Sequence, residues 1–180
     1  MSPFGWVSED AQPRLLLVLT LLLAALSVWL SAVGQALVTP EAPLGIVSYE
    51  FAGSMDLSSA ILASWSAHAR AMAMLSLGLD FLYLLVYPAW FSLAAVRVGR
   101  GLGAGWRGPG AAVAWGVLLC APLDAVENHG LIQQLVHGPT DGYARLAWAA
   151  AAPKFALVGI AALYLMAAGT TRLLARMRRG

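Results

Sequence analysis

The sequence predicts an all-α integral membrane protein: a four-helix bundle with both termini in the cytoplasm and an amphipathic helical segment on the outer face, between the first two spans. Two observations predict this fold class. First, 60% of the 180 residues are hydrophobic and only 11% are charged, whereas a soluble domain carries roughly 25% charged residues. Second, four apolar runs are long enough to cross a bilayer, which takes ~20 helical residues. Most of the surface is therefore expected to face lipid.

The four predicted spans lack the apolar–polar alternation of barrel strands, and each is too long for one. A helix also satisfies its own backbone hydrogen bonds in lipid, where water is absent. The length of the chain fits one transmembrane domain over residues 1–180. In chain order, the spans cover about residues 15–38, 71–96, 111–132 and 146–168.

The cysteine and arginine content argues against two other classes, namely proteins with disulfides or paired-cysteine motifs and proteins that bind nucleic acids. A single cysteine, Cys120, leaves no internal disulfide and no paired-cysteine motif. The pI of about 9.0 does not indicate a nucleic-acid partner, because the basic residues lie at the ends of the apolar runs, where anionic lipid head groups would lie. No nucleic acid and no cofactor is expected. Membrane lipids are the expected partners, and a homo-oligomer is compatible with the sequence.

The arginines predict the orientation of the bundle in the cell membrane. Three regions that share one side of a four-span chain carry most of them, and the opposite side offers only Arg70 and Arg145. Both termini are therefore expected in the cytoplasm, with residues 172–180 as a basic tail. The arginines of the predicted cytoplasmic side are Arg14, Arg97, Arg100, Arg107, Arg172, Arg176, Arg178 and Arg179.

The first span has one competing interpretation, a cleaved signal peptide, because "SAVGQA" offers small residues near a plausible cut. The region before the span, however, carries Glu9 and Asp10 against Arg14, which is a poor positively charged start for a signal peptide. We expect the first span to be retained.

The segment 43–69 is long for a connector, since helix connections in bundles usually take 2–8 residues. In "LGIVSYEFAG" the apolar residues and Glu50 recur with helical spacing, and Gly53 can end the turn. Ser54 or Asp56 is expected to cap a second helix that runs on into the second span. Two interpretations are open: an amphipathic segment that rests on the outer head groups, or a lid over the mouth of the bundle.

Ionisable side chains lie deep in three spans, where each costs ~2.5–3.5 kcal/mol on insertion scales. With a ~1.5 Å rise per residue, Asp80 lies ~15 Å below the outer end of the second span and Lys154 ~14 Å below that of the fourth. Asp124 and Glu127 lie ~12 and ~8 Å below the outer end of the third. The deep charges thus share one layer in the outer half of the bilayer, which predicts a buried polar site.

Helical spacing places these groups on shared faces. Asp124, Glu127 and Asn128 stand at i, i+3 and i+4, and such polar stripes turn toward the interior of a bundle. Prolines beside the polar residues of the second, third and fourth spans are expected to kink these helices and open a cavity, although membrane helices often tolerate such kinks. The predicted ligand-binding residues are Asp80, Tyr83, Tyr87, Asp124, Glu127, Asn128 and Lys154, with Glu50 from the lid and Gln35 from the first span.

The charge balance of the layer indicates what kind of site this is. Three carboxyl groups face the single ammonium of Lys154. They cannot all stay ionised in a low dielectric, so at least one is expected to be protonated, or a cation must supply the missing charge. The favoured function is therefore a pocket that binds a lipophilic ligand with a polar or cationic end.

Three other functions stay open. A membrane enzyme would perform acid/base chemistry on a lipid or isoprenoid, with Asp124 or Glu127 as proton donor and Asp80 as base. Alternatively, the chain performs proton- or ion-coupled transport as an oligomer, or is a structural subunit whose buried Lys154–carboxylate pair holds the helices in register. A metal site is also left open, although His129 lies about 140° round the helix from Asp124.

Overall fold

The computed structural model of the chain describes residues 2–177, apart from the side chain of Arg176, and every regular element in this range is helical. Arg178 and Arg179 of the predicted basic tail lie outside the described residues. The helices are α1 (Gln12–Gly34, continued by a 3-10 turn at Gln35–Leu37), α2 (Ile46–Glu50), α3 (Met55–Ser64), α4 (Ala67–Leu102), α5 (Ala104–Leu118), α6 (Cys120–His137) and α7 (Asp141–Met177).

In the described residues, four helical stretches are long and apolar enough to cross a membrane, which confirms the predicted number. They are Gln12–Leu37, Ala67–Leu102, Ala104–His137 and Asp141–Ala175. The last three extend beyond both predicted boundaries, and the first begins earlier than predicted but ends at Leu37, because helical backbone continues into polar sequence that hydropathy does not detect. At a ~1.5 Å rise per residue, α4 and α7 are each ~55 Å long, well beyond a hydrocarbon core of ~30 Å.

The third candidate span is interrupted at Leu119, between α5 and α6. The amide of Leu119 bonds to the carbonyl of Gly116 at 3.1 Å, a tighter turn than an α-helix makes. Pro122 explains the position, since it has no N–H to donate to the carbonyl of Leu118 and its ring crowds that turn. The backbone of α4 and α7, in contrast, stays helical through Pro88 and Pro153.

The predicted continuous helix from Ser54 into the second span is wrong. Ser54 does cap α3, its side chain accepting from the Leu57 amide at 3.3 Å, but α3 ends at Ser64 and Trp65 is extended. Ser66 then caps α4 by accepting from the Ala69 amide. A serine N-cap competes with helix continuation because it supplies a partner for a first-turn N–H.

The segment α2–α3 packs against the bundle and contributes to its core. Tyr49 and Trp65 are almost fully buried, with their rings 5.3 Å apart. The indole of Trp65 donates to the carbonyl of Leu37 at 2.9 Å, and the hydroxyl of Tyr49 to that of Leu131 at 3.4 Å. These contacts fix α2, and with it Glu50, over one end of the candidate spans.

Helix α4 is central and packs against α1, α5, α6 and α7, whereas α1 contacts α7 hardly at all in the described part of the chain. Helices α6 and α7 also approach each other closely. A Cβ at Gly130 would lie only 3.0 Å from the carbonyl oxygen of Tyr143 and 3.3 Å from the Ala147 nitrogen. Small residues allow this close approach, and it brings the polar faces of α6 and α7 within reach of each other.

Candidate functional site

Lys154, the only lysine in the sequence, lies at the centre of a buried ion cluster. Its Nζ is 2.8 Å from Oδ1 of Asp124 and 2.8 Å from Oε1 of Glu127, and 2.7 Å from Oε2 of Glu127. These three side chains are at most 9% exposed. The stripe on α6 and the lysine on α7 therefore meet as their spacing predicted.

Glu50 joins the cluster from α2, with Oε2 3.9 Å from Nζ of Lys154. Burial raises the pKa of Glu50 above its ordinary value of 4.5, while the nearby ammonium of Lys154 acts to lower it. Oε2 of Glu50 is buried without a hydrogen-bond donor among the described groups, and the carboxyls of Glu50 and Glu127 are close enough to bond to each other. A proton on one of these two carboxyls would satisfy this atom.

Asp80 occupies the opposite wall of the site, on α4. Its Oδ2 accepts a 2.7 Å hydrogen bond from the side-chain amide of Asn128. Among the described side chains, no cationic group lies within the 4.0 Å of an ion pair with Asp80. The carboxyl of Asp80 is thus held in place by a hydrogen bond and not by an ammonium group.

Two tyrosines of α4 complete the polar wall. The hydroxyl of Tyr87 donates to Oδ2 of Asp124 at 2.9 Å, and the ring of Tyr83 lies 5.2 Å from that of Tyr87. The hydroxyl of Tyr83 accepts from Ser27 of α1 at 3.4 Å. Through these contacts α1, α4, α6 and α7 all reach the site.

A cavity of about 250 Å³ opens among these side chains. One part of its wall is polar and acidic, and the other part is apolar and comes from α1, α4 and α7. The polar lining residues are Glu50, Asp80, Tyr83, Tyr87, Asp124 and Lys154, and the apolar ones are Leu23, Phe91, Phe155 and Val158.

The structure brings together eight of the nine predicted ligand-binding residues. Gln35 is the exception: it is exposed in the 3-10 turn that ends α1 and is not among the residues that line the cavity. The position of Gln35 along the first span does not determine which way its side chain points. The rotation of α1 turns other residues toward α4. The eight residues that do meet are Glu50, Asp80, Tyr83, Tyr87, Asp124, Glu127, Asn128 and Lys154.

Sequence reasoning missed several neighbours of the lysine. The ring of Phe155 lies 4.9 Å from the Lys154 ammonium, and the thiol of Cys120 lies 3.6 Å from the Lys154 carbonyl oxygen. Of these neighbours, only Phe155 could have been predicted from the sequence, because it directly follows Lys154. The apolar wall residues Leu23 and Val158 have none, since nothing distinguishes them from other lipid-type residues of their spans.

The histidine considered for a metal site lies apart from the carboxyls. His129 is exposed, with its ring 6.2 Å from that of Tyr143. Over the described range, no group of three or more His, Cys, Asp or Glu side chains has an arrangement that suits a metal ion.

Comparison of the chain with family models, with curated proteins and with solved structures found no match in any of the three. The case for a function therefore rests on the geometry of the site.

Proposed function

We propose that this chain is a multi-pass membrane protein with both termini in the cytoplasm, and that its cavity binds the polar, cationic end of a lipophilic ligand. The observation that supports this most is the charge imbalance at the cavity. Four carboxyl groups meet one ammonium in the buried cluster that borders the cavity, and they belong to Glu50, Asp80, Asp124 and Glu127.

The imbalance persists after the contacts within the cluster are counted. A proton on Glu50 and the positive charge of Lys154 together offset two of the four negative charges. Two negative charges remain at a depth where an uncompensated charge is strongly unfavourable. One of them belongs to Asp80, which has no ion pair among the described side chains. A cationic group beside Asp80 supplies the missing charge.

The cavity volume limits how much of a ligand it holds. Pockets for whole drug-sized molecules measure ~300–1,000 Å³, so about 250 Å³ suits a head group better than a complete amphiphile. The apolar wall has Leu23 on α1 and Val158 on α7, and these two helices scarcely touch. A hydrocarbon tail would therefore leave between α1 and α7, toward lipid.

The aromatic side chains suit a cation. The ammonium of Lys154 already lies over Phe155, while the rings of Tyr83 and Tyr87 line the cavity beside Asp80. Tyrosine faces attract cations by ~0.5–2 kcal/mol, more when the site is desolvated. The carboxylate and the two rings together favour an amine over a neutral head group.

Binding of three amphiphiles with the same chain length tests the proposal: dodecylamine, dodecanol and dodecanoate, titrated into the detergent-solubilised protein by calorimetry. We expect the order amine, alcohol, acid, and about 10–100-fold weaker amine binding in Asp80→Asn, since a hydrogen bond to a charged group contributes ~1.5–3 kcal/mol. Asp56→Asn, which removes an exposed carboxylate outside the cavity, should bind like the wild type. Equal binding of amine and acid would overturn the proposal.

One observation favours a second candidate, a purely structural ion cluster. Lys154 contacts both carboxyls of the α6 stripe at 2.7–2.8 Å, which holds α6 and α7 in register without any ligand. This candidate predicts that none of the three amphiphiles binds with preference and that Asp80→Asn changes thermal stability alone.

The proposed orientation has its own test. In a Cys120→Ala background, Glu41→Cys should react with a membrane-impermeant maleimide added outside intact cells. Ser8→Cys should react only after the cells are permeabilised. The reverse pattern would contradict a cytoplasmic N-terminus.

A further inference from the structure

Four arginines surround a second, larger cavity at the other end of the bundle, away from the acidic site. Its volume is about 730 Å³. Two of the arginines come from the end of α4, one from the start of α5 and one from the end of α7. They are Arg97, Arg100, Arg107 and Arg172.

Local backbone geometry gathers these side chains. Gly103, with a φ of +104°, lets the chain reverse between α4 and α5, and this turn places Arg107 beside Arg100. The guanidinium of Arg172 lies where a side chain at Gly101 would stand. The glycine-rich stretch 99–105 therefore holds α4, α5 and α7 close enough to share one basic cavity.

Half of this positive charge is uncompensated by acidic residues of the cavity. Arg100 is held by Ser2 at 3.2 Å, by Gln12 at 3.4 Å and by Glu9 at 3.4 Å, and this last pair is largely exposed. For the other three arginines, no carboxylate of the described chain lies within 4.0 Å. Among the described residues, Glu9 and Asp10 are the acidic ones that line the cavity, so two of the four positive charges are in excess.

An apolar groove adjoins the basic cavity. It has a volume of about 650 Å³, and Phe4, Trp6, Trp115 and Leu118 line it. A smaller cavity of about 170 Å³ lies between the two, because Ser2 lines both it and the groove while Arg100 and Arg107 line both it and the basic cavity. A charged compartment thus lies next to an apolar one.

We propose that this end of the bundle binds one anionic phospholipid, with the phosphate among the arginines and an acyl chain along the Trp6–Trp115 groove. Guanidinium groups bind phosphate oxygens in pairs of charge-assisted hydrogen bonds, and the cytoplasmic leaflet, which this end is predicted to face, is rich in anionic lipids. The proposal is independent of the acidic cavity and of what binds there.

Lipid binding to the detergent-purified full chain, followed by native mass spectrometry, tests this proposal. The probes are dioleoyl phosphatidylglycerol and dioleoyl phosphatidylcholine, which differ in net charge and have the same chains. We expect phosphatidylglycerol to bind about tenfold more tightly, and the Arg107→Gln/Arg172→Gln variant to lose this preference. Arg14→Gln, which changes an exposed arginine at the same end but outside the cavity, should keep it. Should the double variant not fold, Arg172→Gln alone carries the test, because its side chain is exposed.

Two results would overturn the proposal. One is equal affinity for the two lipids in the wild type. The other is an unchanged preference in the arginine variants. Inorganic phosphate distinguishes the sources of the phosphate group: we expect millimolar phosphate to displace phosphatidylglycerol only weakly, because it gains nothing from the groove. Displacement at concentrations equal to those of the lipid would exclude a role for the acyl chain.

Discussion

The hydroxyl of Tyr87 on α4 donates a 2.9 Å hydrogen bond to Oδ2 of Asp124 on α6. The other oxygen of the same carboxylate accepts from Lys154 on α7. One buried carboxylate therefore joins three helices, with both of its oxygens satisfied. A network of this kind fixes the register of its helices when it is complete, and is costly when one member is missing.

Tyr87→Phe is expected to destabilise the protein by ~1–3 kcal/mol, because it leaves a buried carboxylate oxygen without a donor. Thermal unfolding in detergent measures the loss. Tyr83→Phe is the matched control: its hydroxyl accepts from exposed Ser27 at 3.4 Å, and we expect a loss of ~0.5 kcal/mol or less. Equal losses in the two variants would mean that the Tyr87–Asp124 bond contributes little.

Lys154→Met is expected to cost ~3–5 kcal/mol, because it leaves the buried carboxyls of Asp124 and Glu127 without their counter-ion. Adding Glu127→Gln to this variant should recover part of the loss, since one fewer buried carboxylate then lacks a partner. A double-mutant cycle on unfolding free energies measures this coupling. Simple additivity of the two changes would show that the ion pair does not couple the helices.

Glu50 gives the stability a defined pH dependence. Because burial raises its pKa in the folded protein above 4.5, the folded state holds a proton that the unfolded chain has released once the pH exceeds 4.5. The stability that this proton provides is present at low pH and is lost as the pH rises from 4.5 through the raised pKa. Glu50→Gln cannot ionise, so its melting temperature should fall less steeply with increasing pH than that of the wild type.

The matched control for this comparison is Glu41→Gln, an exposed carboxylate in the same connecting segment. Its melting temperature should follow the wild-type pH dependence. The assignment fails if Glu50→Gln shows the same slope as the wild type over the whole range.

Gly130→Val is expected to destabilise the protein by ~1–3 kcal/mol, because its side chain would enter the closest contact between α6 and α7. Its Cβ alone would lie 3.0 Å from the Tyr143 carbonyl oxygen. Gly159→Ala on α7, where nothing lies within 4 Å of the added carbon, should be neutral or stabilising by up to ~1 kcal/mol. Chemical denaturation of both variants in mixed micelles provides the comparison, and a tolerated valine would mean that the helices can separate freely at this point.

The sequence predicted the spans and the meeting of the deep charges because both follow from simple regularities. Hydropathy identifies the apolar lengths, and helical periodicity with a constant rise gives the depth and face of Asp80, Asp124, Glu127 and Lys154. These rules hold for each span separately. The convergence followed because antiparallel helices of similar length bring equal depths to the same layer.

The same rules could not predict contacts that depend on packing. Gln35 was predicted from its place near the outer end of the first span, but the rotation of α1 about its axis is set by its contacts with α4. The contact of Glu50 with Lys154 depends on how α2 is anchored through Tyr49 and Trp65. The basic cavity depends on the reversal at Gly103, which a composition rich in glycine does not specify.

The pairing of α6 with α7 has a consequence for how the chain is made. The first candidate span contains no charged residue between Leu15 and Leu37 and has a mean hydropathy of 2.5, so it can partition into lipid by itself as it leaves the ribosome. The third carries Asp124 and Glu127, each unfavourable in lipid by ~2.5–3.5 kcal/mol until Lys154 arrives on the fourth. We expect the translocation machinery to retain the third span until the fourth has been synthesised and to release the two together as a hairpin.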